Sequence, residues 1–285
     1  MLTEAARAKI NLGLAVTARR GDGYHELDTI FALGTLADEL QAEPAAGLEL
    51  QVGAEDGLPG SALLGAGEDN LVLQAARAFM TATGSPGARF SLHKRIPLAA
   101  GLGGGAADAA AALRLMARLW PDHAAQVDLM ELARALGSDV PFMFMAASAA
   151  HGRGRGERLE PLQLPERHLV LANPGVSVTA GQAYSWLQSF SRRLDLQKIT
   201  AALTEGDEPR WQNALMAGVS REVREVRAVI SALRASGLQG VLMSGSGTTC
   251  FGLAASDEAA AQVARQLSSE QPDWWVRAVS LGGGA

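Results

Sequence analysis

The sequence predicts a mixed fold of strands and helices arranged in two lobes, and three observations carry that expectation. The chain has 285 residues, enough for a large core and more than one lobe. Apolar runs with strand character are interspersed with stretches of helical spacing. A break in composition falls at His151-Gly152-Arg153-Gly154-Arg155-Gly156, followed by Pro161 and Pro165. That break separates an expected first lobe, 1–155, from a second, 156–285.

The elements follow in order. Residues 6–18 and 27–36 carry strand-like apolar runs around a turn at Gly21-Asp22-Gly23. Residues 47–53 read as a third strand. Asp69-Asn70 offers a cap for a helix from Leu71 to about Met80. Residues 88–96 alternate as a strand does. Helices are expected over 105–119 and 126–136, the second stopped by Gly137. In the second lobe a strand near 168–172 precedes a turn at Asn173-Pro174-Gly175. Helices at about 180–190, 195–204 and 219–236 follow. A hairpin of 238–243 and 249–254 encloses Ser244-Gly245-Ser246-Gly247. A helix near 256–268 and a strand near 274–280 precede the tail Gly282-Gly283-Gly284-Ala285, expected to fray.

Composition narrows the class. Hydrophobic residues make up 48% and charged residues 19%, ordinary for a soluble globular protein. The net charge is −5 and there is no long basic run, which argues against nucleic acid as the main partner. Cys250 stands alone, so no internal disulfide forms and a reducing compartment is natural. Met1-Leu2-Thr3-Glu4 does not open like a secretory signal, and no run of about 18 apolar residues is present to span a membrane. The expected location is the cytoplasm.

The segment Pro97-Leu98-Ala99-Ala100-Gly101-Leu102-Gly103-Gly104-Gly105-Ala106-Ala107-Asp108 runs a glycine cluster into an alanine-rich helix. Glycines let the backbone approach a ligand where a Cβ would clash. The helix start adds free N–H groups and a partial positive charge, so the pair is suited to phosphate. A Walker loop is absent, since no Lys-Ser or Lys-Thr follows the glycines. Gly101-Leu102-Gly103-Gly104-Gly105-Ala106 matches the dinucleotide fingerprint literally, yet Pro97 ends the strand that should feed it. A tight strand-to-helix connection with no ligand stays open on these residues alone.

Further segments widen the pattern. They are Ala8-Lys9-Ile10-Asn11-Leu12, Arg20-Gly21-Asp22-Gly23-Tyr24-His25, Gly137-Ser138-Asp139-Val140-Pro141-Phe142, Asn173-Pro174-Gly175-Val176-Ser177-Val178 and Met243-Ser244-Gly245-Ser246-Gly247. Together with the glycine loop they resemble the GHMP kinase family of small-molecule kinases, in family order and over nearly the whole chain. The resemblance implies an α+β fold, with an N-terminal ribosomal S5-like lobe that binds ATP and carries catalysis. A C-terminal, substrate-side lobe would be a helix-flanked antiparallel sheet, with the site in the cleft between the lobes. It implies ATP-dependent phosphorylation of the 2-hydroxyl of 4-diphosphocytidyl-2-C-methyl-D-erythritol, a step of non-mevalonate isoprenoid precursor synthesis. The partners implied are that small molecule, ATP and Mg²⁺, with no nucleic acid or membrane, in a monomer or weak homodimer. A kinase of the homoserine or mevalonate type, or a non-catalytic nucleotide-binding relative, is the alternative.

The resemblance also distributes roles. Asp139 would accept the hydroxyl proton, with Lys9 as its cationic partner. Pro97, Ala99, Gly101, Leu102, Gly103, Gly104, Gly105 and Ala106 would form the ATP loop, with Asn70 and Lys94 on the nucleotide side. Tyr24 and Tyr184 would sandwich the cytosine, and His25 would hydrogen-bond its edge. Asn11, Phe31, Gly245 and Gly247 would complete the substrate side. Each of several residues has a plainer reading: Asp139 as a cap before Pro141, Lys9 as a snorkelling strand lysine, Tyr24 and Tyr184 as packing aromatics, His25 as a surface histidine. Two departures stand out. Ala106 and Ala107 replace the serines usual in the family, so Mg²⁺ would rest on ATP oxygens and water. Ala180 stands where a threonine is often found, with Thr179 one step earlier.

Overall fold

The computed structural model describes residues 1–145 and 147–282. Two long strands open the chain, β1 (Leu2–Arg19) and β2 (His25–Ala45). From Ala8 to Val16 every residue of β1 is buried, so this stretch is covered on both faces. The turn between the strands is closed by hydrogen bonds from Arg20 N to Tyr24 O and from Gly23 N to Arg20 O. Gly23 has φ 87°, which glycine adopts without strain.

The chain packs as two compact units, and both long strands contribute to each. The first comprises Met1–Ala8, Leu36–Leu98 and Gly103–Ala146. Its sheet holds β3 (Glu49–Ala54) parallel to β4 (Gly87–Lys94), with the far half of β2 antiparallel to β4 from Glu39↔His93 to Ala45↔Gly87. Four helices pack with one another, α1 (Leu71–Thr83), α2 (Gly104–Leu119), α4 (Leu129–Leu136) and α5 (Val140–Phe144), and α1 also packs on β3 and β4. A single turn, α3 (Pro121–Ala124), follows α2. Asn70 caps α1 through Val72 N at 2.9 Å, and Gly84 closes it in the left-handed region. In α2, Ala107 and Ala109–Ala112 are buried, small side chains with the highest helix propensity, which allow close helix packing.

The second unit comprises Lys9–Thr35, Ala99–Leu102 and Ala147–Ala285. Here β5 (Ala149–Gly154) pairs the near half of β2 and the short β6 (Arg158–Pro161). An antiparallel run of β10 (Trp275–Leu281), β7 (Arg167–Asn173), β9 (Cys250–Ala254) and β8 (Gln239–Met243) joins β2 where Leu281 meets Gly34. The helices are α6 (Ala180–Ser185), α7 (Leu196–Glu205), α8 (Met216–Glu222), α9 (Arg224–Ala235) and α10 (Asp257–Glu270). In α9, Val226, Val229, Ile230 and Leu233 form the inward stripe expected of an amphipathic helix. They share one apolar cluster with Val170, Val241, Met243, Leu267 and Val276.

Three local readings change. The glycine-arginine run at 151–156, taken as a break, forms strand β5 and the turn to β6. Its glycines are packing devices: a Cβ at Gly152 would lie 2.6 Å from the Phe31 ring. The helix expected over 219–236 is two, because Val223 leaves helical dihedrals and joins the apolar cluster. The helix from Ala180 stops at Ser185 instead of near 190. Of the tail expected to fray, residues 283–285 lie outside the described residues.

Candidate active site

The glycine loop leads into α2 through backbone that only glycine adopts readily. Gly101 has φ 78° and Gly103, the residue before α2, has φ 68°. Ala99 takes φ 50°, an uncommon value for a residue with a Cβ. The first intrahelical bond runs from Ala107 N to Gly103 O at 2.9 Å. The N–H groups of Gly104, Gly105 and Ala106 therefore have no partner within the helix. That leaves three backbone donors and the positive end of a helix for an anion.

Beneath this helix start lies a buried charge cluster. Lys94 donates to Asp108 at 2.5 Å and to Asp38, and all three are 4% exposed or less. Asp38 also accepts the backbone N–H groups of Arg95 and Ile96, the latter at 2.8 Å. Burial pushes the Asp108 carboxyl upward, Lys94 pulls it back and Asp38 pushes it up again, leaving it well above the ordinary carboxylate range. Burial lowers the Lys94 ammonium, and Asp108 and Asp38 more than reverse this, so it stays charged. Lys94→Met would leave two buried carboxylates facing each other. The expected loss is about 3–5 kcal/mol of stability, read as a fall in the denaturant midpoint at constant slope. An unchanged midpoint would show the cluster to be neutral in the fold. Asn70 is likewise committed, accepting from Val72 N as the α1 cap and donating to Gly65 O at 2.7 Å.

Asp139 sits half-buried at the N-cap position of α5 but makes no capping hydrogen bond with its side chain. The plainer reading, a helix cap, is thus not what holds it. Pro141 at the helix start fixes the turn beside it.

In the second unit the residues of β1 build a continuous polar chain. Lys9 and Asn11 are two apart and so face the same side of the strand. The Lys9 ammonium, 5% exposed, donates to Asn11 Oδ1 at 2.6 Å and lies 5.6 Å over the ring of buried Phe31. Asn11 Nδ2 donates to the Thr29 hydroxyl at 2.8 Å, and that hydroxyl donates to Gly13 O at 2.6 Å. Asn11 N donates to Ser244 Oγ, whose own proton goes to Gly101 O at 2.9 Å. The loop 244–247 passes close over this chain. A Cβ on Gly245 would meet Asn11 Oδ1 at 3.0 Å and Lys9 Nζ at 3.2 Å, and one on Gly101 would overlap Ser244 O at 2.1 Å. Gly247, at φ 81°, would collide with Met243 Sδ if it carried a Cβ. Asn213 holds the loop from below through Met243 O and Gly245 O, and Asn173 reaches Thr249 Oγ1 at 2.9 Å. Thr29, Asn213 and the role of Asn173 were not read from the sequence. Only the Asn-Pro-Gly turn marked Asn173 at all.

The aromatic residues also lie in this unit. His25 and Tyr184 stack with ring centroids 4.7 Å apart and planes 12° from parallel. Tyr24 is 54% exposed, and the Arg155 guanidinium lies 4.9 Å from its ring centroid. The parallel pair is therefore His25 with Tyr184, and Tyr24 stands at the surface under an arginine. Burial first, and then the charge of Arg19, lower the His25 pKa, so its imidazole is neutral at pH 7.

Comparison with known proteins supplies the family. Residues 70–147 match the GHMP kinases N terminal domain, and residues 191–273 match the GHMP kinases C terminal domain. A protein of Deinococcus radiodurans named 4-diphosphocytidyl-2-C-methyl-D-erythritol kinase is 47% identical over 97% of this chain and 92% of its own length. A Thermus thermophilus protein of the same name is 44% identical over 98% and 96%. The crystal structure of a 4-(cytidine 5'-diphospho)-2C-methyl-D-erythritol kinase superposes with a TM-score of 0.88 at 42% identity, covering 99% of this chain and all of that one. The chain belongs to the GHMP kinases, a family of ATP-dependent small-molecule kinases, and lies among those named for 4-diphosphocytidyl-2-C-methyl-D-erythritol.

Proposed function

We propose that this kinase transfers the γ-phosphoryl group of ATP to the 2-hydroxyl of 4-diphosphocytidyl-2-C-methyl-D-erythritol. The observation that carries the reading is full-length identity of 47% and 44% to two proteins that bear that substrate's name. In the transfer, the acceptor oxygen forms the new P–O bond while the bond to ADP breaks, and the hydroxyl proton passes to a base. Asp139 is the base in this reading, a carboxylate beside the apolar Val140-Pro141-Phe142 turn. Lys9 supplies positive charge and Asn11 fixes its direction. The free N–H groups of Gly104, Gly105 and Ala106 take the triphosphate, with Pro97, Ala99, Gly101, Leu102 and Gly103 shaping the approach. Asn70 shapes the nucleotide side through its hold on Gly65 and α1.

Mg²⁺ bound to ATP would neutralise charge on the phosphates. Among the described residues no group of three His, Cys, Asp or Glu side chains could hold a metal ion, and Ala106 and Ala107 carry no hydroxyl. In this reading the ion is held by ATP oxygens and water. No helix among the described residues is long and apolar enough to cross a membrane. A cytoplasmic setting is supported by the single, buried Cys250.

The reading is tested by coupled ADP release with and without the cytidyl acceptor. Acceptor-dependent release, with phosphate found on the 2-oxygen, is expected; release indifferent to the acceptor overturns it. Tyr184→Ala should raise the acceptor KM by roughly tenfold to a hundredfold, the equivalent of about 1–3 kcal/mol for one lost stacking face. Tyr184→Phe should bind almost normally, since the ring is kept. A large loss in the phenylalanine variant would replace stacking by a hydrogen bond. The depressed His25 pKa adds a pH expectation. The acceptor KM should stay flat as pH falls to about 6.5, the ordinary histidine value, and rise only below it. His25→Gln should remove that acidic limb.

A further inference from the structure

The buried cluster of Asp38, Lys94 and Asp108 is not used by the chemistry above, yet it lies directly beneath the start of α2. We propose that it is a positioning device for the phosphate-binding backbone. Lys94, clamped between a carboxylate of β2 and one of α2, fixes the first turn of α2 against the end of β4. It thereby aims the N–H groups of Gly104, Gly105 and Ala106. The inference rests on the kinase reading, because it assigns those N–H groups to ATP.

Four observations converge. First, the lysine is sequestered: Lys94 is 3% exposed, and its ammonium is engaged by both acids. It acts on a ligand through its surroundings. Second, Asp38 does more than neutralise charge. Its second oxygen gathers the N–H groups of Arg95 and Ile96, the two residues that lead into the loop at Pro97. The strand end and the lysine are thus tied to one carboxylate. Third, the ammonium forms part of the floor under the helix. A Cβ on Gly104 would lie 3.2 Å from Lys94 Nζ and 3.1 Å from the Ile96 side chain. Gly104 rests so closely on the cluster that a side chain there would press on Lys94 and Ile96, so a shift of Lys94 reaches the first helical peptide. Fourth, Asp108 Oδ1 is buried with no hydrogen-bond partner among the described residues. Native proteins rarely leave a buried polar atom unsatisfied, and buried ion pairs are poor sources of stability compared with apolar side chains of the same size. An acid kept at that cost inside an alanine helix fits a demand for geometry.

Asp108→Ala and Asp108→Asn test this. ATP affinity is measured by titration calorimetry without acceptor, and both KM values by coupled assay. Asp108→Ala should weaken ATP by about tenfold or more in Kd and in KM, the scale on which small misplacements act. The acceptor KM should stay within about twofold, and kcat at saturating ATP should stay close to wild type. Asp108→Asn keeps an oxygen for Lys94 and should lie between the two, near threefold, a step of less than 1 kcal/mol at a single hydrogen bond. If the alanine variant does not fold, the asparagine variant decides alone. A merely structural role would lower the melting temperature and the active fraction while leaving the ATP Kd of the folded protein alone. ATP affinity unchanged in the folded variants, or equal losses for ATP and acceptor, overturns the proposal. A wild-type protein that binds no ATP fails the kinase reading itself, whereas normal ATP binding with indifferent Asp108 variants fails only the positioning role.

Discussion

Asp139→Asn is expected to lower turnover by about 10²–10⁴-fold, the range typical of a general base, with fold and ATP affinity retained. Asp139 occupies the N-cap position of α5 without using its side chain as a cap, so the change to an amide removes no capping bond. Asparagine is also a good N-cap residue, which protects the helix further. Chemically the change is severe, because an amide cannot take the proton that the acceptor hydroxyl must lose. Against this stands the loose transition state of phosphoryl transfer, in which the nucleophile is little deprotonated and a base has less to do. Turnover decides between them. A variant that melts at the wild-type temperature, binds ATP normally and keeps more than about a third of wild-type kcat removes Asp139 as the base. A loss confined to KM would make it a binding group instead.

What the sequence made legible was what periodicity and caps control. Helix α1 was readable from Asn70 and the spacing after it, and β7 from its continuous run of aliphatics, because each signal is local. The second glycine loop was readable as a motif, but its supports were not. Asn213 lies more than thirty residues before Gly245 and meets it only through the fold, so no spacing rule finds that bond. Strand β5 was hidden because three of its six positions and its turn are glycine or arginine, residues that read as a break. Gly152 is there to admit the ring of Phe31, a long-range demand. Asp38 carried a faint signal: it occupies the inward register of β2 with Leu40 and Ala42, where an acid is out of place unless it has a buried partner. The partner, Lys94, is fifty-six residues away. The aromatic residues were found by type and position, while their pairing was not. Face-to-face contact between His25 and Tyr184 depends on where α6 is set relative to the β1–β2 turn, which tertiary packing decides.

Lys9→Met should cost about 10²–10³-fold in kcat, comparable with the loss of one fixed donor from a catalytic site. The ammonium is buried and donates to Asn11 Oδ1 at 2.6 Å, so its charge sits in a weakly screened place with its direction set. Methionine matches the length and suits the contact with the Phe31 ring, but it leaves buried Asn11 Oδ1 without that donor, so the variant should fold with a modestly lowered melting temperature. Lys9→Arg separates charge from shape. Gly245 passes so near that a mere Cβ there would lie 3.2 Å from Lys9 Nζ, and a planar guanidinium is wider than an ammonium. The arginine variant should therefore be nearly as slow as the methionine one despite its charge. Asn11→Ala should fall in the same range, since it releases the lysine. The double variant Lys9→Met with Asn11→Ala should be little worse than either single one, because residues that act as a unit are not additive. Multiplicative losses would mean that the two residues serve the reaction separately. A methionine variant retaining more than about a tenth of wild-type kcat would mean that the buried ammonium belongs to the core of the second unit and not to the transfer.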